Sequence, residues 1–366
     1  MNTYPMSKQK KISILIVLSF FIFTLFPTIS LAEEAELNFN VTPHFPASQL
    51  EDSTSYFDLN LPANAKDVLG LTLTNSSDEE VTIKITAHTA YTNVNGIVEY
   101  GKTASEKNPT LTYAMEDLIE VPKPLTLAAG ENRTIDIPFQ MPKKSFEGLL
   151  AGGLRIEEVR EETESEDDNQ GLAIKNKFSF VIGVLASNNR STIVPELELL
   201  DVFPDQLNYR NVFSATIQNT TATFVNQLEV DAVIRAEGQD EILYQSETEK
   251  MQMAPNSHFN YPIPLNGDAF RNGDYVATIT ARSGEHEWTW AQKFTINQET
   301  ASRLNRADVT VDTSMNWWMI AASGLFILLL IVLIYLLIKR KKTKIKNNDC
   351  RLERRNKWRK EKKINE

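Results

Sequence analysis

From Trp317 to Ile338 the chain runs for 22 residues without a charge. As a helix this run is about 33 Å long, the thickness of a bilayer's hydrocarbon core. Trp317 and Trp318 stand at one edge, where indoles favour the interface, and Lys339-Arg340-Lys341-Lys342 follow at the other. Residues 339–366 hold 14 Lys and Arg against 4 Asp and Glu. A positive excess of that size keeps a segment in the cytoplasm. Everything before the run is therefore expected to fold outside the cell. Residues 307–316 read as a stalk, 317–338 as a transmembrane helix, and 339–366 as a basic tail that touches membrane lipid.

The other end reads as an export signal. Lys8, Lys10 and Lys11 precede the apolar run Ile12–Phe26, and Ser30-Leu31-Ala32 offers a cleavage site, so residues 1–32 are expected to be a signal peptide. A first membrane span is the alternative, but the run is short for one and Pro27 follows at once. The net charge of −10 hides −23 over residues 33–338. An ectodomain this acidic does not bind nucleic acid or other polyanions by bulk charge. Cys350 is the single cysteine and sits in the tail, which leaves the ectodomain without disulfide, thiolate site or cysteine nucleophile. A cysteine-free exported chain suits a Gram-positive surface better than an animal one.

The middle of the chain alternates apolar and polar residues with period two, the mark of half-buried strands. Leu69–Thr74 and Val81–Thr86 flank Asn75-Ser76-Ser77-Asp78 and read as a hairpin. Val212–Ile217 and Leu228–Ile234 flank Asn219-Thr220-Thr221 in the same way. A second echo pairs Leu125-Thr126-Leu127 with Met251-Gln252-Met253, each followed by a turn and another alternating segment. The expected fold class is all-β, two tandem Ig-like β-sandwich domains. The first carries an insertion, Ala87–Pro124, and long insertions in compact domains are often functional. The segment Phe178–Leu185 fits either domain, since the acidic run Glu157–Asp168 reads as a linker or as a hairpin loop. Asn297–Ser314 shows no strong pattern and reads as polar stalk.

No catalytic constellation emerges. The four histidines lack metal-ligand spacing, and there is no nucleophile elbow, phosphate-binding loop or dinucleotide fingerprint. No metal and no cofactor are expected. Aromatic residues in the insertion are the best binding candidates. Sugars pack flat C–H faces on rings, and amides satisfy their hydroxyls. Tyr91, Asn93, Asn95, Tyr100 and Tyr113 suit such a surface, against the alternative that half of them are core or cross-strand residues. Trp288 and Trp290 share one strand face and are either core or an interface hot spot.

Several segments resemble one known family over nearly the whole chain. In the first domain they are Phe39-Asn40-Val41-Thr42-Pro43, Tyr56-Phe57-Asp58-Leu59, Ala90–Ile97, and Ser145-Phe146-Glu147-Gly148 with Gly152-Gly153. In the second they are Met251–Phe259, Gly273-Asp274-Tyr275 and Trp288-Thr289-Trp290. The chain resembles the WxL-interacting proteins of Gram-positive bacteria, and it holds no Trp-x-Leu of its own. The resemblance implies a peptidoglycan-binding domain over 36–165 and a host-binding domain over 166–306. It implies attachment to peptidoglycan, capture of a WxL-domain surface protein and contact with a host extracellular-matrix protein. The localisation implied is a single-pass plasma-membrane protein with its ectodomain on the wall side. Two domains and a stalk of some 15 residues reach roughly 120–130 Å above the bilayer, less than a typical wall, so a scaffold role is favoured over direct adhesion. The reading from a different class is a membrane-tethered assembly chaperone that holds a client on an open sheet edge.

Overall fold

A computed structural model describes residues 38–50, 53–159, 178–311, 318 and 321–339. The expected signal peptide, most of the acidic run, Trp317 and the basic tail beyond Lys339 lie outside the described residues. The fold is β-rich, with 51% of the described residues in strands, as the alternating pattern requires.

Ten strands form the first body: β1 (Phe39–His44), β2 (Phe57–Asn60), β3 (Lys66–Asn75), β4 (Val81–Thr89), β5 (Tyr91–Thr92), β6 (Val98–Glu99), β7 (Leu125–Leu127), β8 (Asn132–Gln140), β9 (Leu150–Glu158) and β10 (Ser179–Ser187). Seven form the second: β11 (Leu197–Leu207), β12 (Arg210–Asn219), β13 (Val225–Ala236), β14 (Ile242–Met253), β15 (His258–Pro264), β16 (Gly273–Ser283) and β17 (His286–Ile296). In the first body a sheet β1-β3-β8 and a sheet β2-β10-β9-β4-β7 share one core. Leu69, Leu71 and Leu73 enter it from β3, and Val81, Ile83 and Ile85 from β4. In the second body the sheets are β11-β12-β15 and β14-β13-β16-β17.

The two bodies share one connectivity. β1-β3-β8 corresponds to β11-β12-β15, and β7-β4-β9-β10 to β14-β13-β16-β17. Strand β10 pairs antiparallel with β9 and parallel with β2, so Phe178–Leu185 supplies a strand of the first body, in the place that β17 takes in the second.

The hairpin expectation is corrected. β3 and β4 lie in different sheets, as do β12 and β13, so each Asn-rich turn is a corner that carries the chain across the core. The reason is the buried amide at each corner. Asn75 Nδ2 donates to the carbonyls of Glu79, Leu127 and Ala128, while its Oδ1 accepts from Ser77 N. Asn219 Nδ2 donates to the carbonyls of Thr223 and Ala254, and its Oδ1 accepts from Thr221 N and Oγ1. One side chain thus replaces the ladder bonds that a hairpin would have made.

The described chain divides into two compact units. The larger holds both sets of sheets up to Pro204, then Val212–Pro264 and Gly273–Ile296. The smaller gathers Asp205–Asn211, Leu265–Asn272 and the chain from Asn297 onward. Here a second expectation is corrected, since the first part of the polar stalk is helix α1 (Gln298–Ala307). Asn297 caps it by accepting from Thr300 N, and Ala301 and Leu304 are its buried face. Asn305 Oδ1 accepts from Phe270 N and Asn211 Nδ2, and Gln206 Nε2 donates to Leu304 O. The buried Asp308 carboxylate accepts from Asn211 N, Thr310 N and Val311 N. Helix α2 (Ala321–Lys339) follows, with 19 residues and a mean hydropathy of 2.9, long and apolar enough to cross a membrane.

Candidate binding site

The insertion between β4 and β7 builds the site. Asn93 shapes the tip of the β5–β6 hairpin: its Oδ1 accepts from Asn95 N and Ile97 N, and its Nδ2 donates to Glu99 Oε1 at 3.0 Å. Gly96 sits at φ 67° beyond it. There its carbonyl accepts from Gln252 N at 2.8 Å, and any Cβ would lie within 2.4–2.6 Å of the Met251 side chain. Only glycine allows both the turn and the approach.

Behind the tip, the bodies are joined through buried polar groups. Ser257 Oγ donates to Ala254 O, which makes Thr92 Oγ1 the donor to Ser257 across 2.6 Å, and Thr92 Oγ1 accepts in turn from Ala254 N. Ala90, Val98, Ala151 and Ala254 form a small apolar cluster around them, with Tyr100, Leu185 and Phe224 packed on it. The buried Asn108 accepts from Gln218 Nε2 at 2.8 Å and meets His258 Nδ1 at 3.2 Å. A second joint lies at Gly148, φ 82°, beside Ala222: Leu149 N donates to Ala222 O at 2.8 Å. Two segments of the first body that carried the resemblance, around Gly96 and Gly148, are thus joint segments. Gly96 docks on Met251–Phe259 of the second body, which also carried it.

Beside this joint opens a cavity of about 740 Å³, within the usual size range of ligand sites. The first body contributes Tyr91, Asn93 and Glu116, and the second contributes Asp201, Phe203 and Asn260, among others. Burial works against ionisation of Glu116, but hydrogen bonds from Thr89 and its own backbone, with Lys107 at 3.7 Å, hold its carboxyl below the usual range. Burial, then Glu99, pushes the Tyr91 phenol up, so it stays protonated and can donate. Desolvation lowers His88, whose Nδ1 meets Thr103 Oγ1 at 3.0 Å. Rings, amides and carboxylates thus face one space, with more negative than positive groups.

The sequence-predicted residues scatter around this site. Tyr91 and Asn93 line the cavity. Asn95 is exposed at the hairpin tip. Tyr100 packs on the joint cluster, and burial raises its phenol. Tyr113 packs against the first core with its ring 6.0 Å from Phe146. Trp288 and Trp290 lie half-buried on the face of β17 that carries Phe294, whose ring is 5.4 Å from Phe213; Trp288 Nε1 donates to Glu196 at 3.1 Å. The second-body wall of the cavity was not anticipated, because nothing in Asn256–Asn260 marks it as facing the insertion. Among the described residues no group of three or more His, Cys, Asp or Glu is placed to hold a metal ion.

Two family models divide the ectodomain between them. Residues 39–158 match the WxL Interacting Protein peptidoglycan binding domain, and residues 169–306 match the WxL Interacting Protein host binding domain. The chain belongs to the WxL-interacting protein family. Its two modules are binding modules, and α2 makes this family member a single-pass membrane protein with a surface-exposed ectodomain. No curated protein matches it. Among solved structures the family member is similar to a chain of the chaperone–tip adhesion subunit pre-assembly complex from archaic chaperone-usher Csu pili of Acinetobacter baumannii, at 11% identity and a TM-score of 0.29, covering 70% of this chain and 98% of that one. It is also similar to the E. coli chaperone DraB, at 12% identity and a TM-score of 0.26, covering 71% and 98%. Likeness at these scores carries no argument about this chain.

Proposed function

We propose that this chain is a membrane-anchored scaffold of the inner cell wall whose cavity grips a peptidoglycan fragment between its two bodies. The observation that carries the reading is the cavity itself, walled by Tyr91 and Asn93 of the peptidoglycan-binding module and by Asp201, Phe203 and Asn260 of the module that follows. Rings can stack on the C–H faces of a sugar, amides can satisfy its hydroxyl and acetamido groups, and carboxylates can take the amines of a stem peptide. The negative lining disfavours phosphate-rich polymers. Under this reading each body is an Ig-like sandwich, supported by its repeated two-sheet connectivity. The pairing of β10 with β9 supports a domain boundary after Ser187 in place of one at residue 165. The second body carries the contacts to the WxL-domain surface protein and to host matrix.

The test is co-sedimentation of the ectodomain with purified peptidoglycan. Tyr91→Ala should weaken retention about tenfold, whereas Tyr113→Ala, once folded, should leave it unchanged. Equal retention of wild type and Tyr91→Ala would remove the cavity from the account.

A further inference from the structure

The smaller unit has a surface unlike the rest of the ectodomain. Residues 33–338 carry −23, yet the exposed charges of Asp205–Asn211, Leu265–Asn272 and Asn297–Val311 are Arg210, Arg271, Arg303 and Arg306 against Asp268 and Glu299. Asp308 is buried and held by backbone donors, so it takes no part in that surface. The same unit carries two large apolar side chains in water: Tyr209 is 71% exposed and Val309 72%. They are neighbours, since Val309 N donates to Tyr209 O at 3.0 Å. Asn208 and Tyr209 adopt φ of 52° and 59°, an uncommon backbone for non-glycine residues, and this bend presents the ring.

The chain places this surface near lipid. Six residues separate Val311 from Trp318, the first described position of the apolar run, which is 86% exposed. Fully extended, they span at most about 25 Å. Because α1 folds back into the smaller unit, the spacer is about a third of the length that a stalk from Asn297 would give.

We propose that the smaller unit rests on the outer face of the bilayer, with Tyr209 and Val309 in the interface and Arg210, Arg303 and Arg306 against anionic lipid headgroups. Tyrosine is favoured at that depth, and basic side chains add attraction to anionic lipid. Contact there holds the acidic ectodomain low in the wall, where peptidoglycan is the nearest polymer.

The experiment uses the full-length chain in a Cys350→Ser background, in vesicles of phosphatidylcholine and phosphatidylglycerol. Tyr209→Cys and, separately, Val309→Cys carry a fluorophore, and lipids with a shallow nitroxide quench it. Both probes should lose at least about half of their emission, and Arg303→Glu with Arg306→Glu should restore most of it. Emission at both positions equal to that in nitroxide-free vesicles would overturn the proposal, as would quenching that charge reversal leaves unchanged.

Discussion

Thr92 and Ser257, 165 residues apart in sequence, share a buried hydrogen bond of 2.6 Å. Thr92 also accepts from Ala254 N, so one hydroxyl satisfies two groups of the second body. Thr92→Val keeps the shape and orphans that buried N–H. The expected cost is about 1–3 kcal/mol, read as a lower urea midpoint of the ectodomain with the same slope. A midpoint within error of wild type would mean that the joint does not hold in solution.

The Gly96 and Gly148 contacts make a sharper demand. Gly96→Val forces a Cβ into Met251 at a backbone angle that valine resists, and overpacking of this kind costs about 1–3 kcal/mol. Limited proteolysis should then cut the joined bodies apart faster than wild type. Gly130→Ala is the control, because its Cβ would meet nothing within 4 Å; its φ of 68° alone should lower stability without exposing the joint. Equal cleavage between the bodies in both variants would count against a tight joint.

The corner amides should behave as a matched pair. Asn75→Ala removes the donor to three carbonyls and Asn219→Ala the donor to two, one bond of each set being buried, and each should destabilise by about 2–4 kcal/mol. Thermal denaturation of both variants measures this, and a loss at one corner only would show that the repeat is topological without being energetic.

These corners also show what could be read from the chain alone. The strands on either side of Asn75 and Asn219 were legible, because Leu69, Leu71 and Leu73 must share a face whatever they pair with. The pairing was not legible, because an Asn-rich turn serves a hairpin and a corner equally well. The binding candidates divided for a similar reason. Composition marks Tyr91 and Tyr113 alike, and only the fold sends one to a cavity and the other onto Phe146. Helix α1 did leave a signal in Asn297, Glu299 and Arg306, a cap and charges suited to the two ends, but only Ala301 and Leu304 are buried in it, too short a stripe to announce itself.

Acid should loosen the smaller unit first. Burial alone would raise the Asp308 carboxyl, but donors from Thr310, Asn211 and Val311 outweigh it and hold the group below its ordinary value of 3.8. A depressed carboxyl contributes stability that is fully present above 3.8 and is lost as pH falls through the lower folded value. The amides of Asn211 and Val311 should therefore lose protection as pH falls below 3.8. Asp308→Asn should flatten that pH dependence, and an unchanged profile in this variant would point to another carboxylate.

Hydrogen–deuterium exchange on the ectodomain, with and without a soluble disaccharide–peptide released from peptidoglycan, tests the composite site most directly. The cavity predicts slower exchange in residues 89–94, 103–111 and 256–260 together, one ligand touching both bodies. Protection confined to a surface away from these segments, or none at saturating fragment, would contradict it.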